Sequence, residues 1–571
     1  MHNIIFVLLR RMHLPLIFLI CIYAISVLGF VLISGTDNQG NPWRMDFFHA
    51  FYFVSFMGTT IGFGEIPYPF NNGQRLWAIV TIYGTVIAWL YAIGSLLSLI
   101  QDPAFRTLMK ENAFRRAVRS INEPFYLICG YGDTGSLLVR ALSDAGIRSV
   151  VIDADQERVN ALELEDLLLY APGFCANAAE PDILLKAGLK HKCCAGVVAL
   201  TNVDHVNLKI SITGKLLNPS LQVIARAETR DAEENIASFG TDSIINPFDT
   251  FAGRLALALH SPGIYLLYEW MAGVPNEGLS EPLFPPRGRW ILCGFGRFGK
   301  AVYEKLEREG LPVTVIEATP EITGIPEDGI VGRGTEAVTL EEAKIQDAVG
   351  IIAGTDDDAN NLSIIMTARE LKPELFIVAR QNKRINDSIF AAANLNLIMQ
   401  RSSIIAHKIF AFITVPIMDQ FFTQIRRQRN DWANELVSRI SGITQDVAPH
   451  KWMLNVLATE APALVAGITD GKRVSIDYLL LDPRNREDRL PCIVLLIKRQ
   501  QQDILLPKDN TEIMIGDRIL LCARYGTKRH VDWFVNNYNV FNYVFSGEEH
   551  SSNFLMRRLK RSIDDSELKD S

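Results

Sequence analysis

The sequence predicts a two-span α-helical membrane domain, then two α/β domains each built on a parallel sheet, then a small α+β lobe. Three observations carry this reading. Two charge-free apolar runs lie near the N-terminus, a strand, glycine turn, helix and strand pattern follows and later recurs, and short strand-like segments with polar turns come last. At 571 residues the chain exceeds one core, since domains average roughly 150 residues.

The first apolar run, LPLIFLICIYAISVLGFVLI from Leu14 to Ile33, is free of Asp, Glu, Lys and Arg, and about 20 such residues cross about 30 Å of hydrocarbon. The second spans Leu76 to Gln101. Arg10 and Arg11 precede the first, and Arg106, Lys110, Arg115, Arg116 and Arg119 follow the second. The positive-inside rule therefore predicts a multi-pass protein of the cell (inner) membrane with both termini cytoplasmic. A net charge of −7 and a pI near 5.9 argue against a nucleic-acid partner, whose footprint is a basic face. Eight cysteines without a CxxC pair read as reduced thiols. Cys193 and Cys194 beside His191 do not make a zinc site, because adjacent cysteines seldom aim both thiolates at one ion.

Between the spans, an apolar helical run from Phe47 to Met57, too short to cross, breaks at Gly58-Thr59-Thr60-Ile61-Gly62-Phe63-Gly64-Glu65. Irregular backbone at membrane depth is tolerated only where protein buries it or water reaches it. Thr60, Ile61, Gly62, Phe63 and Gly64 resemble the selectivity filter of potassium channels, with Ile61 and Phe63 in place of Val and Tyr and with Glu65 where many relatives carry Asp. The resemblance implies K⁺ as the permeant ion and a homotetramer, each copy giving one filter strand. Losing the tyrosine hydroxyl removes a bracing hydrogen bond. Gly84 and Gly94 in the second span are expected either as bending points of a gating helix or as close-packing sites. Leu96, Leu97, Leu99 and Ile100 could form an apolar constriction.

After a basic connector, 102–122, the strand Phe125 to Cys129 runs into Gly130-Tyr131-Gly132-Asp133-Thr134-Gly135, with Asp153 ending the next strand. This is the dinucleotide fingerprint of a Rossmann-like domain. It recurs as Gly294-Phe295-Gly296-Arg297-Phe298-Gly299 with Glu317, displaced by 164 positions. Thr355 to Asn361 parallels Thr201 to Asn207, and Arg380 parallels Arg226. Such repetition predicts duplicated units. They resemble the RCK (TrkA-N-like) domains that regulate potassium conductance in prokaryotic channels and transporters, here as a tandem following a two-span pore. The expected organisation is pore domain 1–101, connector 102–122, first Rossmann-like domain 123–284, second 285–430, C-terminal lobe 431–545 and a disordered tail 546–571.

An acid ending the second strand favours an unphosphorylated ribose, so NAD(H), ADP, ATP or AMP is the expected regulatory ligand and NADP is not. Asp133 stands at the phosphate turn of the first repeat and Arg297 at that of the second. This directs the expectation to the second, completed by Arg333, Gly334, Thr355 and Asp356. The acid run Asp356 to Asp358 reads first as a solvated loop and second as a divalent-cation site, Ca²⁺ among the ions such domains use. A membrane-bound NAD-dependent oxidoreductase is the competing class. It leaves the filter unexplained, and no substrate domain or proton relay is apparent in the sequence, so the chain is read as a non-enzyme.

Overall fold

The computed structural model describes residues 2–273, 281–445 and 447–547. The side chains of Arg10 and Arg11 and the tail from 548 onward lie outside the described residues. The chain divides into two compact units, 1–120 and 121–571.

In the first unit, helices His2–Leu32 and Asn72–Gln101 are each long and apolar enough to cross a membrane, and Phe47–Gly58 stands between them. Asn71 starts the second span with a capping box, accepting from the Gln74 amide while the Gln74 side chain accepts from its own. The two spans meet at small residues. A Cβ on Gly29 would lie 2.1 Å from the Trp77 ring, whose Nε1 donates to the Ser26 carbonyl at 3.0 Å. Phe30, buried with Phe53 and Phe70, contacts Phe53 of the short helix at 4.8 Å and Phe70, which follows the filter loop, at 5.8 Å. The connector forms the helix Pro103–Arg119, with Asp102 accepting from the Ala104 and Phe105 amides at its start.

The second unit holds two six-stranded parallel sheets. The first is ordered Gly173–Cys175, Arg148–Asp153, Phe125–Cys129, Cys194–Ala199, Gln222–Arg226, Ser243–Ile245. The second is ordered Ile330–Val331, Val313–Glu317, Arg289–Cys293, Ala348–Ala353, Phe376–Gln381, Leu397–Gln400. Both are doubly wound, and the strand order reverses beside the central strand, which runs into the glycine turn. That crevice is where such sheets bind ligands.

The helices that follow the two sheets are exchanged. Pro247–His260, after the first sheet, buries Phe248, Phe251 and Leu255 against Phe298, Val302 and Leu306 of the second repeat. Arg401–Thr414, after the second sheet, buries Ile405, Ile409 and Phe410 against Leu138, Val139 and Leu142 of the first. A boundary at 284/285 thus follows the order of strands, whereas the cores cross it. The apolar helices Arg401–Thr414 and Met418–Ile425, bent by 114°, pack inside these cores, where burial accounts for their composition. The C-terminal lobe is an antiparallel sheet ordered His450–Asn455, Arg518–Ala523, Cys492–Arg499, Gln502–Leu505. Alternate residues serve two cores, Val494 and Leu521 one and Leu495 and Leu520 the other, as the period of a strand requires.

Candidate functional sites

Thr59 ends the short helix, donating from its hydroxyl to the Ser55 carbonyl at 2.9 Å. Thr60, Gly62 and Gly64 then have φ of +64°, +67° and +92°, while Ile61 and Phe63 between them do not enter the positive region. Alternation of this kind turns successive carbonyls toward one side, where a regular strand would point them alternately. Among the described residues nothing stands within 4 Å of a Cβ added at Gly62 or Gly64, so φ itself is what calls for glycine there. Phe63, lacking a hydroxyl, is held by rings, Tyr52 stacked at 6.5 Å and Phe56 edge-on at 5.4 Å. Glu65 closes the loop onto the second span, accepting from Arg75 Nε at 2.8 Å and from the Phe70 amide at 2.8 Å. A Cβ on Gly84 would stand an ordinary 3.5 Å from Ile22, and one on Gly94 would meet nothing within 4 Å among the described residues. Leu96, Leu97 and Ile100 are exposed in the chain, whereas Leu99 is buried.

The two glycine turns share one construction. Gly130 and Gly294 have φ of +110° and +96°. A Cβ on Gly135 would stand 2.1 Å from the Gly130 carbonyl, and one on Gly299 2.0 Å from that of Gly294. The Asp153 carboxylate accepts from the Tyr131 amide at 2.5 Å and the Asp155 amide at 2.8 Å. Glu317 accepts from the Phe295 amide at 2.5 Å and the Thr319 amide at 2.9 Å. These acids therefore brace their own turns, and a carboxylate with about four acceptor positions keeps capacity for a ribose. Asn207 donates to the carbonyls of Thr201 and Arg226, and Asn361 donates to those of Thr355 and Arg380. The parallels read from the sequence are thus matched by identical hydrogen bonds.

What surrounds the turns differs. A cavity of about 300 Å³ opens over Gly132, Asp133, Thr134 and Gly135 and is bounded by Arg226 and Arg401. A second, of about 240 Å³, continues over Asp153 between Ala176, Ala178, Val203 and Val206. Gly132, Arg158, Leu200 and Asn202 line both. One half is cationic and rests on two helix N-termini, Asp133–Asp144 and Arg401–Thr414, which suits phosphate. The other offers a carboxylate and a small apolar slot.

At the second turn, Arg297 binds Glu228 at 2.8 Å and lies 5.6 Å over the Phe248 ring. Arg380 is packed between Phe248 and Phe298, at 5.2 and 5.7 Å. Burial first, and then the neighbouring Arg401 and Arg297, bring the Arg380 pKa down to about 10 despite Asp356 and Glu228. Glu228 is buried among Arg226, Arg297 and Arg401. Burial pushes its carboxyl up, but Arg226, Arg401 and Arg297 outweigh this and hold it below the usual range.

At the second turn, where the sequence directs the expectation, Arg297 is already paired with the Glu228 carboxylate, whereas the cations lining the first cavity include Arg226 and Arg401 from far along the chain. Arg333 is exposed and Gly334 is buried against Cys293, while Thr355 is fixed by Asn361. In the acid run, Asp357 caps a helix and Asp358 accepts from the Asn382 and Lys383 amides. No cluster of three metal-ligating side chains occurs among the described residues. Sequence reasoning missed Arg158, Asn202, Arg401 and Ser402 at the first cavity. Only Arg226 had a signal, its repetition at Arg380.

The ion-channel domain family matches residues 17–102, and the TrkA-N domain family matches 126–247 and 290–400. Potassium channel protein 1 of Methanocaldococcus jannaschii is 28% identical over 220 residues, 38% of this chain and 64% of that protein. Probable potassium channel protein 2 of the same organism is 23% identical over 222 residues, 38% of this chain and 63% of that protein. The aligned region thus spans slightly less than two thirds of these relatives. Among solved structures, the GsuK channel and the GsuK channel bound to NAD are similar, at TM-scores of 0.49 and 0.48 and identities of 17% and 16%, each covering 93% of this chain and 99% of the other.

Proposed function

We propose that this chain, which belongs to the ion-channel proteins that carry TrkA-N domains, is one subunit of a potassium-selective channel gated by a nucleotide. The observation that carries the pore reading is the alternating backbone of Thr60, Ile61, Gly62, Phe63 and Gly64, set between two spans at the end of a short apolar helix. Carbonyls turned to one side replace an ion's water shell only when several strands surround the ion. One loop per chain therefore needs copies, and four are proposed. The cell membrane is its location, with both termini cytoplasmic, and Gly94 is the bending point of the second span. Nothing in this reading requires catalysis.

The regulatory ligand is proposed to be an adenine nucleotide, NAD(H), ADP, ATP or AMP, held at the glycine turns of the second unit. Asp153 meets the ribose and Gly132 to Gly135 the phosphate. Binding must favour one arrangement of that unit over another to move the pore. In the acid run Asp356 to Asp358, the Asp357 and Asp358 carboxylates are engaged in hydrogen bonds, which leaves calcium the weaker regulatory reading. Potassium flux into vesicles containing the purified protein tests the channel, with NAD, ADP and calcium each applied to the cytosolic side. Absence of flux from intact tetramers would sink the pore reading, and flux indifferent to every ligand would sink the gating.

A further inference from the structure

The two repeats are aligned position by position, and, besides Tyr131 against Phe295 and Asp133 against Arg297, four differences set what surrounds their phosphate turns. Around the first stand Thr134, Asn382, Arg401 and Ser402; at the equivalent places around the second stand Phe298, Glu228, Pro247 and Phe248. Each set is mixed, because the exchanged helices and strand ends bring residues of one repeat to the turn of the other. The small polar set leaves the cavity of about 300 Å³. The second set fills its place: Phe248 and Phe298 clamp Arg380, and the Glu228 carboxylate holds Arg297.

A helix N-terminus alone does not make an anion site, but a second feature points into the first cavity. Arg226, 2% exposed, lines it and has a buried Nε with no hydrogen-bond partner. Its other nitrogens reach Asn202 Oδ1 at 2.9 Å and Glu228. Arg401 Nη1 reaches the same carboxylate at 2.9 Å. Three guanidiniums, Arg158, Arg226 and Arg401, line the cavity; against them stand Asp133 in its wall and the one Glu228 carboxylate that Arg226 and Arg401 share, so positive charge is left over at the cavity. A single phosphate on the turn of Gly132 to Gly135 does not use that excess; a second phosphate beside it does.

Resting on the nucleotide reading above, we propose that each chain binds one pyrophosphate-bearing nucleotide, in a composite site made by the first repeat's turn and by Arg401, Ser402 and Asn382 of the second. The matching place at the second turn is closed by the chain's own Glu228 carboxylate and Phe248 ring. A nucleoside diphosphate and a dinucleotide share the required chemistry.

Equilibrium dialysis of the full-length protein against labelled ADP, NAD and AMP tests this. One ADP per chain is expected, displaced by NAD at a single site, with AMP about tenfold weaker, the worth of one or two charged hydrogen bonds. Arg401→Gln leaves Glu228 paired with Arg226 and Arg297, so the fold persists. It should weaken ADP by about tenfold and bring it level with AMP. Arg158→Gln, which alters a partly exposed side chain, should weaken ADP and AMP together. Arg297→Gln should leave one ADP bound with its affinity unchanged. Two ADP per chain, or loss of ADP with Arg297→Gln while Arg401→Gln is inert, overturns the assignment and leaves the nucleotide reading standing. Equal affinity for AMP and ADP overturns the pyrophosphate subsite alone. No binding of any of the three to the wild-type protein overturns the nucleotide reading and this assignment together.

Discussion

The pore loop and the first glycine turn both depend on glycine, for different reasons. At Gly62 the backbone lies at φ +67° with nothing among the described residues within 4 Å of a Cβ. At Gly135 the space is taken, since a Cβ would stand 2.1 Å from the Gly130 carbonyl. The loop glycine is demanded by conformation and the turn glycine by packing. The first demand should therefore be read out in function, the second in stability.

The largest effect expected from this contrast is at the loop. Gly62→Ala places a side chain where left-handed backbone costs roughly 1–2 kcal/mol, and any relaxation rotates a carbonyl out of line. Potassium flux into vesicles should be lost, while thermal unfolding of the second unit stays unchanged. Retained selective flux would break the assignment of Thr60 to Gly64. The next effect inverts this pattern. Gly135→Ala and Gly299→Ala each force a helix off its strand, and overpacking of this kind costs about 1–3 kcal/mol. Both should lower the denaturant midpoint to a similar extent, because the two turns share one construction. If only one of them destabilises, that similarity is superficial.

Much of this was legible in the sequence. The spans, the filter resemblance, the duplicated turns and the acids Asp153 and Glu317 rest on short-range patterns, where period and spacing carry the information. Identification of the open turn did not. Reading Asp133 against Arg297 considers only the residue inside the motif. The deciding cations, Arg226 and Arg401, reach the first turn through a strand end and an exchanged helix, contacts that no local pattern displays. The occupant of the second turn, Glu228, lies 69 positions before Arg297. Phe63 was legible as a missing hydroxyl, but its ring contacts with Tyr52 and Phe56 needed the geometry.

A smaller effect concerns acid. Glu228 and Glu317 are both held below the usual glutamate value of 4.5. For Glu317, burial raises the carboxyl, and the amides of Phe295 and Thr319 outweigh it. A carboxyl depressed in the folded state contributes stability that is complete above its unfolded pKa and is lost as pH falls through the folded one. Stability of the second unit should thus hold above about pH 4.5 and decline below it. Glu317→Gln should flatten the decline, as followed by urea unfolding at a series of pH values. An unchanged slope would remove Glu317 from the account.

The smallest effect on stability should be the most discriminating between the turns. A Cβ on Gly132 meets only Arg158, at 3.6 Å, and one on Gly296 meets nothing within 4 Å. Gly132→Ala and Gly296→Ala should each shift stability by no more than about 0.5 kcal/mol, the range of substitutions that disturb no packing. Their effects on ligand should part. The middle glycine of such a turn lets backbone approach a pyrophosphate, and a methyl at 132 projects into the open cavity, so ADP should bind at least about tenfold more weakly. At 296 the phosphate position already faces Arg297, Glu228 and Phe248, so ADP affinity should not move. Equal losses from both variants would mean that both turns hold nucleotide, and the contrast drawn between them would fail on the variants that perturb the fold least.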